Sequence, residues 1–472
     1  MNFLFLKLSE EWKQESVLEH HPNDSSIFPP LGLLYLGAML ENEGHQVEII
    51  DFGFENLTKK TLEKKLHHVD AVGISVYTNN YQKSAELAHV IKELTPEILL
   101  IIGGPHCTFL KQQSLRDIPD ADIAVVLEGE HTIIDIIHYL QGNKQLSQIH
   151  GIYYRNNNTI QSGKRFTICK NMDELPFPAR HLVENYEYGT FPSGYTTKKK
   201  FTSMLTSRGC AFRCRFCSRY SNVIPGYGFR QRSADNVVQE LQQVSEQYRS
   251  VAIVDDNFLA DVKRSEKIFD TIHSEGLELE LMVIGARVDT ANETLYRKMK
   301  KAGVRYISYG IESGNQEILD YYNKNITLHQ IKKAVSLGRK MNFFLSASFI
   351  LGAPIETNEH IKNTIRFMSH LPLDAVTIRP FYYDMGAEFW NEEVKKGTIA
   401  ESEYVVRADS TRGLGNFTTD EIDQWKKKAY QRFYLNPRYE CSQVVRAVKD
   451  KDVSRIKNTL LAGLSPQLKN MF

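Results

Sequence analysis

Short apolar runs alternate twice along this chain with amphipathic stretches, and that alternation leaves few folds open. In the first series the runs are residues 3–8, 47–51, 71–76, 99–103 and 123–127, each of strand length. Between them, residues 32–43, 57–67, 81–94 and 131–140 carry apolar side chains at helical spacing. Parallel strands need a crossover between them, and a helix of this length supplies one. The pattern therefore predicts a parallel sheet with helices on both faces. Ligands of such sheets sit beyond the carboxyl ends of the strands.

The second series begins at Thr202. Strands are expected at 202–206, 251–255, 279–284, 306–311, 344–351 and 375–379, and helices at 234–248, 262–275, 293–302, 331–341 and 360–369. Six βα units of this kind predict a partial TIM-type (β/α)6 barrel with its chemistry on the loops after the strands. Between the two series, Asn156-Asn157-Asn158 joins 152–155 to 159–161 as a hairpin. A proline-punctuated link, Leu175-Pro-Phe-Pro-Ala179, follows. After Phe389 the pattern is mostly helical, and Thr418-Thr-Asp-Glu421 offers caps for a helix reaching Phe433. The expected α/β organisation is a doubly wound, Rossmann-like domain over 1–150, a linker with a hairpin over 151–200, the barrel over 201–388 and a helical region over 389–472.

The 472 residues carry a formal net charge of +1, so no basic excess exists to neutralise a phosphate backbone, and nucleic acid is not an expected partner. The run Lys198-Lys199-Lys200 reads as a solvated stretch ahead of a strand. No apolar run approaches the roughly 20 residues of a membrane span. Residues 2–8 are apolar but are followed by Glu10 and Glu11, unlike a secretory signal. Six cysteines, three crowded and three scattered, do not form a secreted disulfide framework. A reducing cytoplasm is the expected compartment.

The three crowded cysteines form one loop, Cys210-Ala-Phe-Arg-Cys214-Arg-Phe-Cys217. Three thiolates can hold three corners of an iron–sulfur cube and leave the fourth iron without a protein ligand. An open metal position marks a catalytic rather than a structural site. A zinc site is the other reading. It needs a fourth ligand, which Cys169, Cys441 or a histidine would have to supply by folding.

Spacings of four and three, with the aromatic Phe216 just before the third cysteine and a strand just ahead, closely resemble the radical S-adenosylmethionine (SAM) superfamily. The resemblance implies that the open iron chelates SAM and that an electron from the cluster releases a 5′-deoxyadenosyl radical, which abstracts a hydrogen atom. Gly310-Ile-Glu-Ser-Gly314 and Leu351-Gly-Ala-Pro-Ile-Glu356, after the fourth and fifth barrel strands, resemble SAM-contacting turns, though the first also reads as a tight strand-to-helix turn with a charged cap and the second as a Gly/Pro loop. Arg287 would pair with the SAM carboxylate or form a surface salt bridge. Asp255-Asp256 would orient the SAM ammonium or open a helix. The SAM set implied is Phe216, Asp256, Arg287, Glu312, Ser313, Gly352 and Glu356.

The N-terminal series resembles the cobalamin-binding domain of the B12-binding radical SAM subgroup, through Pro29-Pro30-Leu31-Gly32-Leu33-Leu34-Tyr35-Leu36, Ser75-Val-Tyr-Thr-Asn79, Gly103-Gly104-Pro105-His106 and Glu128-Gly129-Glu130. With the stretch Arg432-Phe-Tyr-Leu-Asn-Pro437, the resemblance spans nearly the whole chain. The Asp-x-His-x-x-Gly motif of other cobalamin proteins is absent, as is common in the subgroup, where the lower face of cobalamin is unligated. Tyr77, Thr78, Gly103, Gly104, His106 and Glu128 are implied as cobalamin contacts, with Tyr77 or a neighbour facing cobalt, the glycines admitting the corrin or its nucleotide tail, and His106 acting as a ligand or, as its place after two glycines suits better, touching the corrin edge from a loop. A bare scaffold without cofactor is the alternative for this domain.

The whole resembles a cobalamin-dependent radical SAM methyltransferase that methylates a carbon or phosphorus of a biosynthetic intermediate through methylcobalamin. Tyr382, Tyr383, Asp384 and Glu388, after the sixth strand, would line the substrate pocket or form an aromatic hinge. A small-molecule or peptide substrate and an electron donor such as flavodoxin or ferredoxin are the implied partners. Oxidative cyclisation or ring rearrangement with the same cofactors is a second reading. A zinc or B12-binding sensor module is a third, of a different class. The tRNA methylthiotransferase group is disfavoured, because the N-terminal series holds Cys107 alone. Cys441 would act as a thiol hydrogen donor or as a buried apolar side chain.

Overall fold

The computed structural model describes residues 1–8, 27–157, 159–191, 193–198 and 200–450. Glu10, Glu11, Asn158 of the hairpin turn, Lys199 and positions 451–472 of the expected helical region lie outside them. The chain divides into two compact units, Met1–Tyr188 and Gly189–Phe472.

In the first unit, β1 (Asn2–Lys7), β2 (Gln46–Asp51), β3 (Ala71–Ser75), β4 (Leu99–Gly103), β5 (Ile123–Val125), β6 (Ile152–Asn156) and β7 (Thr159–Ser162) form one sheet in the order β2-β1-β3-β4-β5-β6-β7. The first five strands are parallel. Their order reverses between β1 and β3, which opens a crevice at the carboxyl ends of those strands. β1 is buried on both sides, Leu4 and Leu6 in one apolar cluster and Phe3 and Phe5 in the other. A strand covered on both faces needs such a continuous apolar run. The hairpin pairs antiparallel with β5 and completes this sheet, so residues 151–162 are part of the domain and not of a linker. Helices Pro105–Leu110 and Gln112–Asp117 occupy the β4–β5 connection, where a glycine loop was expected. Each has six residues, too few to show helical periodicity in a sequence.

In the second unit the strands are β8 (Phe201–Met204), β9 (Ser207–Arg208), β10 (Arg230–Gln231), β11 (Ser250–Ile253), β12 (Glu280–Ala286), β13 (Val304–Glu312), β14 (Phe344–Leu351), β15 (Ala375–Pro380), β16 (Tyr382–Asp384) and β17 (Val405–Arg407). Six of them pair in the order β15-β14-β13-β12-β11-β8, every neighbour parallel, with β8 and β15 at the open edges. This is the expected open barrel. Helices Ala234–Gln247, Val262–Ser274, Glu293–Lys301, Leu328–Lys340 and Asn358–His370 connect the strands. Ser233, Asp261, Asn292, Thr327 and Thr357 cap them, each side chain accepting a first-turn amide. Such caps fix where each loop ends and its helix begins.

The C-terminal region is not purely helical. β17 pairs antiparallel with β16, so a boundary at 388 cuts through one two-stranded sheet. Helix Thr419–Tyr434 carries the expected capping box of Thr418 and Glu421. Helix Pro437–Asp450 follows it, and Cys441 on that helix is exposed, not buried. No described helix is long and apolar enough to cross a membrane.

Candidate active site

The cysteine loop leaves β9 and is pinned along its length. The Arg215 amide donates to Tyr322 O at 3.0 Å, Asn323 Nδ2 donates to Arg213 O at 2.8 Å, and the Phe389 amide donates to Arg215 O at 3.3 Å. The Arg215 guanidinium donates to Glu388 Oε1 and Glu392 Oε1, both at 2.6 Å, and lies 4.2 Å from the centre of the Phe389 ring. Ser218 Oγ donates to Met385 O at 2.9 Å and Asn222 Nδ2 to Gly386 O at 2.6 Å. Arg215 hides between two cysteines in the sequence, and nothing there marks it as an anchor.

Cys210, Cys214 and Cys217 lie close enough to act on one another electrostatically. Burial pushes the Cys217 thiol up to about 12, and the other two thiols and Asp256 add to the shift. Burial raises Cys210 as well, with Asp256 and Cys214 contributing. Thiols that resist ionisation, as those of Cys210 and Cys217 do, suit cations that take their protons' place, since metal coordination deprotonates a thiol outright. The donor set thus fits an iron–sulfur cluster held at three corners.

The strand ends around the loop carry the residues expected for SAM. Phe216 packs edge-on against Tyr322, ring centres 5.0 Å apart. Asp256 is exposed, whereas its neighbour Asp255 is buried and accepts from the Thr206 amide, Thr206 Oγ1 and Ser207 Oγ, each at 2.6 Å. Asp255 therefore ties β8 to β11 and leaves Asp256 for a ligand. Glu312, at the end of β13, has φ of +68°. It accepts from Lys324 Nζ at 2.8 Å and Ser348 Oγ at 3.2 Å. A Cβ at Gly310 would stand 2.6 Å from Glu312 Oε1 and 2.9 Å from Lys324 Nζ, so this glycine makes room for the pair. Ser313 is fully buried, its hydroxyl 3.2 Å from Thr364 Oγ1, and shapes the turn from within.

Arg287 is 5% exposed, so it is not part of a surface salt bridge. It grips Asp289 with Nε at 3.1 Å and Nη2 at 2.7 Å, donates to Lys324 O, and stacks 3.6 Å from the Phe212 ring. Its fork is already engaged by a carboxylate of this chain.

Glu356 closes the turn after β14. Its Oε2 accepts from the amides of Gly352 at 2.6 Å and Ala353 at 2.9 Å, while Oε1 is buried without a hydrogen-bond partner among the described residues. Burial lifts its carboxyl from 4.5 to about 7, against those two amides. The folded chain thus keeps a proton that the unfolded chain releases, and stability falls as pH rises from 4.5 to about 7. In Glu356→Gln that fall in thermal stability should disappear, as pH-resolved melting curves would show; an unchanged slope contradicts the assignment.

The expected substrate residues separate. Tyr382 and Asp384 share one side of β16, as alternate residues of a strand do. Tyr382 is half-exposed, and burial lifts Asp384 to about 6, with Arg379 opposing. Tyr383 points the other way, is 2% exposed and donates to Leu414 O at 3.2 Å, so it does not line an open pocket. Glu388 is committed to Arg215 of the cysteine loop.

In the first unit, Tyr77 and Thr78 follow β3, Gly103 ends β4 and Glu128 follows β5, all at the carboxyl end of the sheet. Tyr77 is 37% exposed and its amide donates to Asn80 Oδ1 at 2.9 Å. Gly104 has φ of +103°, and a Cβ there would stand 2.9 Å from Val76 O. The chain's own strand ends, not only a ligand, require this glycine. His106 is helical rather than in a loop and is fully buried, its ring stacked 4.8 Å from Tyr81 and its Nε2 3.4 Å from Asp117. It presents no surface to a ligand edge. Glu128 accepts the Cys169 amide at 3.0 Å. A phenol and backbone at the open end fit a cofactor whose metal takes no ligand from the protein. A shallow groove lined by Asn2, Gln46, Glu48, Lys64, His67 and His68 lies at the amino ends of β1 and β2, away from where such sheets bind.

Comparison with known proteins places these features. Residues 204–368 match the family model of the Radical SAM superfamily, and residues 24–137 that of the B12 binding domain. The chain is 31% identical over 418 residues to an uncharacterized methyltransferase of Pyrococcus horikoshii, PH0819, covering 87% of this chain and 88% of that one. It is 25% identical over 440 residues to the cytidylyl-2-hydroxyethylphosphonate methyltransferase of Streptomyces wedmorensis, covering 82% of each. Among solved structures, the radical SAM methyltransferase TsrM from Kitasatospora setae, with cobalamin and a 4Fe-4S cluster bound, superimposes with a TM-score of 0.65 at 18% identity, covering 84% of this chain and 76% of that one.

Proposed function

This chain belongs to the B12-binding radical SAM enzymes, and on that premise we propose that it is a methyltransferase acting on an unactivated carbon, or a phosphorus, of a biosynthetic intermediate. The observation that carries the reading is the pinned trio Cys210, Cys214 and Cys217, acted on by Asp256 and Arg287 from the ends of two neighbouring parallel strands. The similarity to two methyltransferases over more than four-fifths of the chain supports methyl transfer as the outcome.

When bound, a 4Fe-4S cluster supplies the electron that splits SAM, and cobalamin carries the methyl group. The protein's part is orientation and exclusion of water. Cys210, Cys214 and Cys217 hold the cluster. Phe216, Asp256, Glu312 and Gly352 surround SAM, with Ser313, Arg287 and Glu356 shaping the turns behind it. Tyr382 and Asp384 face the substrate, and a carboxyl titrating near 6 is placed to move a proton there. Tyr77 and Thr78 meet cobalamin. A small-molecule or peptide substrate, a low-potential donor such as flavodoxin or ferredoxin, and the cytoplasm complete the proposal.

Anaerobic reconstitution with iron, sulfide, SAM, reductant and hydroxocobalamin tests it. The expected result is corrin absorption bands on the protein and both S-adenosylhomocysteine and 5′-deoxyadenosine as products. 5′-Deoxyadenosine without S-adenosylhomocysteine would reject methyl transfer in favour of cyclisation or rearrangement.

A further inference from the structure

Lys324 lies in the turn after helix Gln316–Tyr321, in an Asn-Lys-Asn stretch. It is only 8% exposed. Its ammonium pairs with Glu312 at 2.8 Å and stands 5.8 Å from the centre of the Phe216 ring, on the residue just before Cys217. The turn has little freedom. Arg287 Nη2 donates to Lys324 O at 2.9 Å, and the neighbouring Tyr322 and Asn323 bond the cysteine loop directly.

The charges around the thiols are unequal. Lys324 acts on Cys214 and Cys217, and Arg287 acts on Cys210. Asp256 opposes them at Cys210 and Cys217. Glu312 Oε1 fixes the ammonium at 2.8 Å, and that ammonium stands 5.8 Å from the Phe216 ring within the cysteine loop. Arg287 is largely neutralised by its two-pronged grip on Asp289. A cluster becomes more negative when it takes up an electron, and its potential follows net charge, hydrogen bonding and exposure. A fixed cation with little water around it favours the reduced form.

We propose that Lys324 is a positioning residue whose buried ammonium, clamped by Glu312, makes the cluster on Cys210, Cys214 and Cys217 easier to reduce by a low-potential one-electron donor protein. One electron enters the cluster, and no bond in the protein forms or breaks. The proposal rests on the radical SAM reading above.

The test is a redox titration of anaerobically reconstituted protein, followed by electron paramagnetic resonance, with iron and sulfide counted first. Lys324→Gln and Lys324→Met should lower the equilibrium constant for reduction about tenfold, equivalent to about 59 mV for one electron. Lys324→Arg should restore most of it. Neutral variants that lose the cluster while the arginine variant keeps it would support the same charge role. If all three variants lose it, the residue acts by packing and the proposal is overturned. Fully loaded neutral variants titrating with the wild type overturn it alone. A wild-type protein that binds no iron and sulfide sinks the radical SAM reading, and this proposal with it.

Discussion

Cys214→Ala is expected to strip the protein of iron while leaving it folded. The substitution removes one sulfur from a buried position in a loop whose course is set by other groups. The backbone bonds of Arg215 to Tyr322 and Phe389, and its guanidinium on Glu388 and Glu392, remain. A cube held at two corners instead of three should leave the protein. Loss of an outer partner of a metal ligand costs roughly 10–100-fold in affinity, and loss of the ligand itself should exceed that. Iron and sulfide analysis after desalting would show it, beside a circular dichroism spectrum matching the wild type. Cys107→Ala, Cys169→Ala and Cys441→Ala should retain iron in full. Iron retained by Cys214→Ala, or lost by any of those three, would contradict the assignment.

Asp374→Ala should have the opposite signature, a large loss of stability with the chemistry untouched in whatever remains folded. Asp374 is buried just ahead of β15, at the amino end of the barrel strands. Both its oxygens accept from Arg446 Nη1 at 2.7 Å, and it also accepts from the Leu345 amide at 2.8 Å and Gln443 Nε2 at 3.1 Å. The Tyr439 hydroxyl donates to its carbonyl at 2.9 Å. Helix Pro437–Asp450 is thereby fastened to the barrel. Without the carboxylate, the Arg446 guanidinium stays buried and unpaired, a situation that costs about 3–5 kcal/mol. Urea unfolding should report that loss, while KM for SAM in the folded fraction should not change. Catalytic groups sit at the carboxyl end of barrel strands and stabilising ones at the other. A stability within 1 kcal/mol of wild type, on the order of an exposed ion pair's worth, would show that the helix is held by other contacts.

Residues that act through local chemistry were legible in the chain itself. The cysteine spacing, the strand and helix periods and the Thr418–Glu421 box depend on residues a few positions apart, and periodicity preserves that information. Helices Pro105–Leu110 and Gln112–Asp117 were missed because six residues do not complete two turns. The antiparallel pairing of β16 with β17 was missed because two three-residue strands carry no pattern of their own.

The character of individual site residues was a different matter. Glu388 sits in sequence beside the expected substrate residues, but in space it belongs to Arg215, 173 positions earlier. Lys324, which no motif in the sequence singles out, is a buried cation at the cysteine loop. His106 looks like a ligand and is a core ring stacked on Tyr81. By itself the sequence determined two α/β domains and three sulfurs in one loop, because both follow from spacing along the chain. Which charges face those sulfurs, and which polar side chains are spent holding the fold, was decided only by the tertiary structure. Burial and pairing are set by whatever the folded chain brings alongside, and sequence distance does not measure that.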